Sequence, residues 1–170
     1  MLRLREANWD DLEEEWRFVR AMPEDENGLT NKWSGISREA FAAIALPQAL
    51  AWARGEDLPE GIVPETQFYL WSDGEAVGQF RLRHYLNDAL RSGAGHIGYY
   101  VAPPFRGRGF ATEGLRLTLE KAAGIVPEEE IYLRLQRGNT ASLRVMLKNG
   151  GRVVGDDGKH IYVRIPKPSL

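Results

Sequence analysis

The sequence predicts a mixed α/β fold of the α+β kind, a mostly antiparallel sheet flanked by helices. Short runs that alternate apolar and polar residues come in pairs around tight-turn signals, Ser72-Asp73-Gly74 and Asp156-Asp157-Gly158, as antiparallel hairpins do. Between these runs lie segments whose apolar residues recur at helical spacing. The 170 residues contain no repeat, linker or composition break, so a single domain spanning 1–170 is expected.

Taken in order, residues 2–6 alternate apolar and charged side chains and read as a first strand. Residues 9–19 form an acidic helix in which Leu12, Trp16 and Val19 share a face. Residues 21–36 are rich in Pro, Gly, Asn and acid and read as a loop. Ser37 caps the next helix with Glu39 in its first turn, and Pro47 kinks or divides it. After a second loop, residues 67–71 and 75–84 form a hairpin, with Phe80, Leu82 and His84 on one face of its second strand. Residues 96–101 make another strand, 112–123 a helix with Ala111, Leu115, Thr118 and Ala122 inward, and 131–135 a further strand. A short helix over 139–148 stops at Asn149-Gly150-Gly151, and a hairpin over 152–155 and 160–165 closes the fold.

Composition narrows the function. A net charge of -2 gives no support for non-specific nucleic-acid binding. With no cysteine, disulfides, thiolate metal sites and an acyl-cysteine intermediate are excluded, and no metal is expected. The charged N-terminus is unlike a signal peptide and no apolar run reaches membrane length, so a cytoplasmic protein without membrane partners is expected. A homodimer, the commonest closed assembly, is the expected oligomer if there is one.

The most informative stretch is Arg106-Gly107-Arg108-Gly109-Phe110-Ala111, set between a strand and a helix. Glycines there let the backbone approach a ligand, and the helix start offers unpaired N–H groups and a positive dipole end. That combination suits a pyrophosphate. It is not a Walker loop, for no Gly-Lys-Ser/Thr follows, nor the GxGxxG of a dinucleotide fold. Downstream, Asn139 and Ser142 place an amide and a hydroxyl in the first turn of a helix, where each by itself reads as a capping residue.

Together, HIGYYVAPPFRGRGFATEGLRLTLEKA and LRLQRGNTASLRVMLKNGG resemble the GNAT-type N-acetyltransferases over residues 95–151. ENGLTNKW, LRHYLND and GHIGYY are further similar to an uncharacterised bacterial branch of predicted acetyltransferases. The resemblance implies a six- to seven-stranded sheet, splayed between its fourth and fifth strands and flanked by about four helices. It implies acetyl-coenzyme A as co-substrate, with its pantetheine arm along Tyr99, Tyr100 and Val101 and its pyrophosphate on the amides of Arg106, Gly107, Arg108, Gly109, Phe110, Ala111 and Thr112. Asn139 would bond the pantetheine arm and Ser142 would touch the coenzyme. Arg106 would contact phosphate or brace the loop, and Arg144 and Lys148 either reach outer phosphates or stay solvated.

Two departures bear on catalysis. The family's general-acid tyrosine, seven residues after the asparagine, is Met146, which has no proton to give. The carboxylate often found at the start of the fourth strand aligns with Gly95. His84, Glu26 and Tyr100 are the candidate catalytic residues, His84 for its tunable pKa and Glu26 for its place beside Asn27-Gly28. The acids Glu24, Asp25 and Glu26, with Asn31 and Trp33, would suit a small-molecule or peptide amine that is cationic. The expected activity is direct transfer of an acetyl group to that amine within a ternary complex. The alternatives are a non-catalytic coenzyme A-binding or sensor module, and a nucleotide-binding regulator using the same loop.

Overall fold

The structure, a computed structural model, describes all residues 1–170. The chain begins with β1 (Leu2–Glu6), α1 (Leu12–Ala21) and a small hairpin of β2 (Asp25–Glu26) and β3 (Leu29–Thr30). A composite helix follows: α2 (Arg38–Ala40), a π-helical stretch Phe41–Ala45, and α3 (Leu46–Ala53). Next come β4 (Glu65–Ser72), β5 (Glu75–Arg83), the single turn α4 (Asp88–Arg91), and β6 (Ile97–Val101). A 3-10 turn at Pro103–Phe105 leads into α5 (Phe110–Ala123), and β7 (Glu130–Gln136), α6 (Thr140–Lys148), β8 (Arg152–Asp156) and β9 (His160–Pro166) complete the fold.

Apart from the β2–β3 hairpin, the strands form two antiparallel sheets, β1-β4-β5-β6 and β7-β9-β8. They meet at one backbone bridge, Gly95 with Leu133, and diverge beyond it, so the fold is the mixed α/β, splayed sheet that the sequence implies. Counting without the small hairpin, the split falls between the fourth and fifth strands. His96 fastens the junction: its N–H donates to Tyr132 O at 2.7 Å, and its ring Nδ1 accepts from Tyr132 N at 2.9 Å. Because Nδ1 is an acceptor, the ring proton sits on Nε2, which faces Glu128 Oε1 at 3.3 Å.

Two apolar clusters lie on opposite faces of the first sheet. Phe68, Leu70, Phe80, Leu82 and Ile97 pack with Leu115 and Leu119 of α5, Met146 of α6 and Leu133 and Leu135 of β7. On the other face Tyr69, Trp71 and Tyr100 pack with Phe18 and Val19 of α1, with Phe41 and Ala45 of the π-helical stretch, and with Leu46 of α3. Strand alternation produces both sets, because neighbouring side chains point to opposite faces.

Several expectations shift in detail. α1 starts at Leu12 and not at Trp9, because Asn8 Oδ1 accepts from Asp11 N at 3.0 Å and holds that segment in a turn. Ser37 caps α2 by accepting from Ala40 N at 3.1 Å, and the helix widens into the π stretch just before Pro47, whose missing N–H interrupts the ladder. The region read as loop over 21–36 contains the β2–β3 hairpin, turning at Asn27 (φ 52°) and Gly28 (φ 87°), both left-handed as the tight turn requires.

Candidate active site

The divergence of β6 and β7 opens a cleft of about 580 Å³, walled by β5 and β6 on one side and by β7 and α6 on the other. The loop 106–112 lies at one end and the β2–β3 hairpin covers part of the mouth. β6 presents an unpaired edge to it. Arg83 N donates to His96 O at 2.8 Å and Ala102 N to Val77 O at 2.9 Å, which fixes the phase of the β5–β6 ladder. In that phase the N–H and C=O groups of Ile97, Tyr99 and Val101 point away from β5, into the cleft.

At the end of this edge the backbone amides of Gly107, Arg108, Gly109, Phe110, Ala111 and Thr112 donate to no protein acceptor. Gly109 (φ 78°) is the N-cap of α5, has no side chain to cap the helix, and leaves open space where a Cβ would stand. The amide of Arg106 differs, for it donates to Pro103 O at 3.2 Å. Its guanidinium braces the loop: Nε donates to Val101 O at 2.8 Å, Nη2 pairs with Glu26 at 2.8 Å, and the group lies 5.3 Å from the Tyr100 ring centre. The cleft-facing carbonyl at the tip of β6 is therefore occupied by a side chain.

Of the residues singled out from sequence, Tyr99, Tyr100, Val101, Arg106, Gly107, Gly109, Phe110, Ala111, Thr112, Asn139 and Ser142 line the cleft together with Glu26. Arg108 does not; its guanidinium lies over Phe110 at 4.7 Å. Asn139 caps α6 by accepting from Ser142 N at 3.3 Å. Ser142 Oγ is 2.6 Å from the Tyr99 hydroxyl, which is stacked on Phe80 and pushed up to about 12 by burial. Met146 is buried in the cleft wall.

His84 lies elsewhere. It follows β5 on the Phe80–Leu82 side, its Nε2 is 2.7 Å from Thr66 Oγ1, and it does not line the cleft; burial lowers its pKa. Glu26 is the one carboxylate among the lining residues. Burial, then Glu26, raises the Tyr100 pKa, so its phenol stays protonated at neutral pH. Asn31 is structural: buried, it donates to Val19 O and Met22 O and so terminates α1. Trp33 packs beside Lys32, whose ammonium lies 4.6 Å from its ring centre.

Sequence reasoning passed over Arg81, Arg83 and Arg134, all of which line the cleft. The signal was present: two-residue alternation along β5 puts Arg81 and Arg83 opposite the core face of Phe80 and Leu82. The β2–β3 hairpin was also marked by its Asn27-Gly28 dipeptide.

A family model described as an acetyltransferase (GNAT) domain matches residues 2–152. Among solved structures, RimJ from Mycobacterium smegmatis, in complex with CoA-disulfide, is 27% identical with a TM-score of 0.68, covering 97% of this chain and 81% of its own. RimL, a ribosomal L7/L12 α-N-protein acetyltransferase in complex with coenzyme A, is 19% identical with a TM-score of 0.65, over 96% of this chain and 90% of its own. A spermidine N-acetyltransferase SpeG chimera from Vibrio cholerae and hSSAT is 19% identical with a TM-score of 0.63, over 98% and 95%. No curated protein matches the sequence. A split antiparallel sheet, a glycine-rich loop opening α5 and a family match across almost the whole chain agree, and the protein belongs to the GNAT acetyltransferase family.

Proposed function

We propose that the protein transfers the acetyl group of acetyl-coenzyme A to a primary amine by direct attack within a ternary complex. The observation that carries this reading is the run of amides from Gly107 to Thr112 without protein acceptors, adjoining the free edge of β6. Polar backbone groups at a cleft wall are matched by a diphosphate at the loop and an amide-bearing arm along the strand. RimJ, solved with CoA-disulfide, and RimL, solved with coenzyme A, support this choice of co-substrate.

In this reading Tyr99 and Val101 present backbone groups to the pantetheine arm, and Asn139 and Ser142 bound it on the α6 side. The acceptor nitrogen, once deprotonated, attacks the thioester carbonyl. The new C–N bond forms, the C–S bond breaks, and the sulfur leaves as thiolate and takes up a proton from solvent. Met146 cannot supply that proton, but a thiol with a pKa near the cysteine reference of about 8.5 leaves without strong assistance. Glu26, the carboxylate lining the cleft, receives the amine proton, and Tyr100 supplies a neutral hydroxyl beside it. His84, bonded to Thr66 outside the cleft, has no part in this scheme.

Calorimetric titration with acetyl-coenzyme A tests the proposal. Binding is expected, and Gly109→Val should weaken it about tenfold or more, since a β-branched residue is strained at φ 78° and its side chain enters the ligand's space. No interaction at millimolar ligand would remove the reading.

A further inference from the structure

The charge inside the cleft is opposite to what the acidic 24–26 segment suggests. Asp25 Oδ1 accepts from Gly28 N at 3.0 Å and serves the hairpin turn, Glu24 is exposed, and Glu26 is paired with Arg106. Of that segment only Glu26 lines the cleft, where it is placed to take a proton, but Arg106 balances its charge, so the segment offers no net negative charge to a cationic acceptor. Cations do. Arg81 of β5, Arg83 at its end and Arg134 of β7 line the cleft on the face away from the apolar core, because Phe80, Leu82, Leu133 and Leu135 hold the core side. Tyr100 and the β2–β3 hairpin share their face. Arg144 and Lys148 belong to the other wall, on α6, where Asn149 Nδ2 donates to Thr112 O at 3.1 Å beside the amide run.

These arginines differ in how their charge is met. Arg83 pairs with Glu65 at 3.6 Å and donates to Gly95 O at 3.1 Å. The partly buried Arg81 donates only to neutral acceptors, Gln79 Oε1 at 2.9 Å and Thr30 O at 2.8 Å; burial pushes its pKa down, and the Glu65 carboxylate, already paired with Arg83, offsets part of this without contacting Arg81. Arg134 forms no ion pair; its partner across the ladder is Tyr162. Directly opposite Arg81 in the β5–β6 register is Gly98, so β6 puts no side chain in the space in front of it, and only Leu29 of β3 reaches over Gly98. A partly desolvated guanidinium without a contacting counter-anion is costly, and a planar, multi-donor cation is best met by a carboxylate or phosphate.

We propose that the acceptor amine belongs to a molecule that also carries an anionic oxyacid group, and that this group binds at Arg81 and Arg134. The inference rests on the acetyltransfer reading above and names its substrate class. A polyamine brings cations to the same arginines and is disfavoured.

The test uses primary amines that differ in the group borne by the second carbon: β-alanine, O-phosphoethanolamine, ethanolamine and ethylenediamine, with Ala-Asp-Ala and Ala-Asn-Ala amides as a peptide pair. Free thiol release at saturating acetyl-coenzyme A gives kcat/KM for each. An anionic member should exceed its neutral counterpart by about tenfold or more, and Arg134→Gln and Arg81→Gln should reduce that ratio through KM. Which anion leads separates carboxylate from phosphate. Preference for the neutral or cationic members overturns the proposal, as does an anionic preference that survives both substitutions. Absence of turnover with every anionic probe, in protein that binds acetyl-coenzyme A by calorimetry, also overturns it. Failure to bind acetyl-coenzyme A removes the acetyltransfer reading and this one with it, and calorimetry with that ligand alone tells the two failures apart.

Discussion

His96 and Glu15 show what single buried groups do to this protein. His96 is fully buried at the sheet junction, and burial lowers its pKa despite Glu128 nearby. The unfolded chain then binds a proton more readily than the folded one, so stability rises with pH through the window below about 6.5 and is lost as pH falls. His96→Ala leaves Tyr132 N without its acceptor and should cost about 1–3 kcal/mol, measured by urea denaturation at neutral pH. Glu15 works in the opposite direction. Buried in α1 with Oε1 unpartnered and only Asn8 N on the other oxygen, its carboxyl rises to about 8. Between its ordinary 4.5 and about 8 the folded state keeps a proton that the unfolded chain has released, so stability falls as pH rises through that window. Glu15→Gln keeps the shape without the charge and should stabilise the protein at pH 9 by about 1–3 kcal/mol relative to wild type, while changing little at pH 4. Denaturation midpoints at the two pH values check it.

At the level of elements, α5 approaches β5 so closely that a Cβ on Gly114 would stand 2.2 Å from Phe80 Cζ. Gly114→Ala should therefore destabilise by about 1–3 kcal/mol, although alanine is the better helix former, and thermal denaturation would show it. The loop opening α5 allows a different measurement. Its amides from Gly107 to Thr112 have no protein acceptors, so they should exchange hydrogen rapidly in the free protein and slow markedly with acetyl-coenzyme A present. Unchanged exchange would place the diphosphate elsewhere. The β2–β3 hairpin is tied down at two points, Glu26 to Arg106 and Thr30 O to Arg81. If Glu26 accepts the amine proton, Glu26→Gln should lower kcat and leave acetyl-coenzyme A affinity intact. If it only clamps the hairpin, Arg106→Gln and Glu26→Gln should give the same loss, mainly in acceptor KM.

For the whole molecule, ligand binding and folding are linked: acetyl-coenzyme A at about a hundred times its Kd should add about 2.7 kcal/mol to stability, visible as a rise in Tm. The order of strands and helices was legible because period-two and helical patterns, the Ser37 and Asn139 caps and the Asp73-Gly74 turn are local signals. The glycine loop and the Asn139–Ser142 pair were legible for the same reason, as short motifs whose chemistry follows from adjacent residues. What the sequence did not show is side-chain pairing between distant segments. Arg106 is 80 residues from Glu26, and Tyr99 is 43 from Ser142; nothing local marks either partnership. His84 shares the face of Phe80 and Leu82 as read, yet the cleft opens on the other side of that strand end. By itself the sequence determined most of the elements, the family's loop and the absence of any cysteine, since each is read from composition or from neighbours along the chain. Only the tertiary structure decided the charge lining the cleft, because Coulombic balance depends on which residues meet across space: it ties the cleft's one acid to Arg106 and leaves Arg81 and Arg134 outside any ion pair.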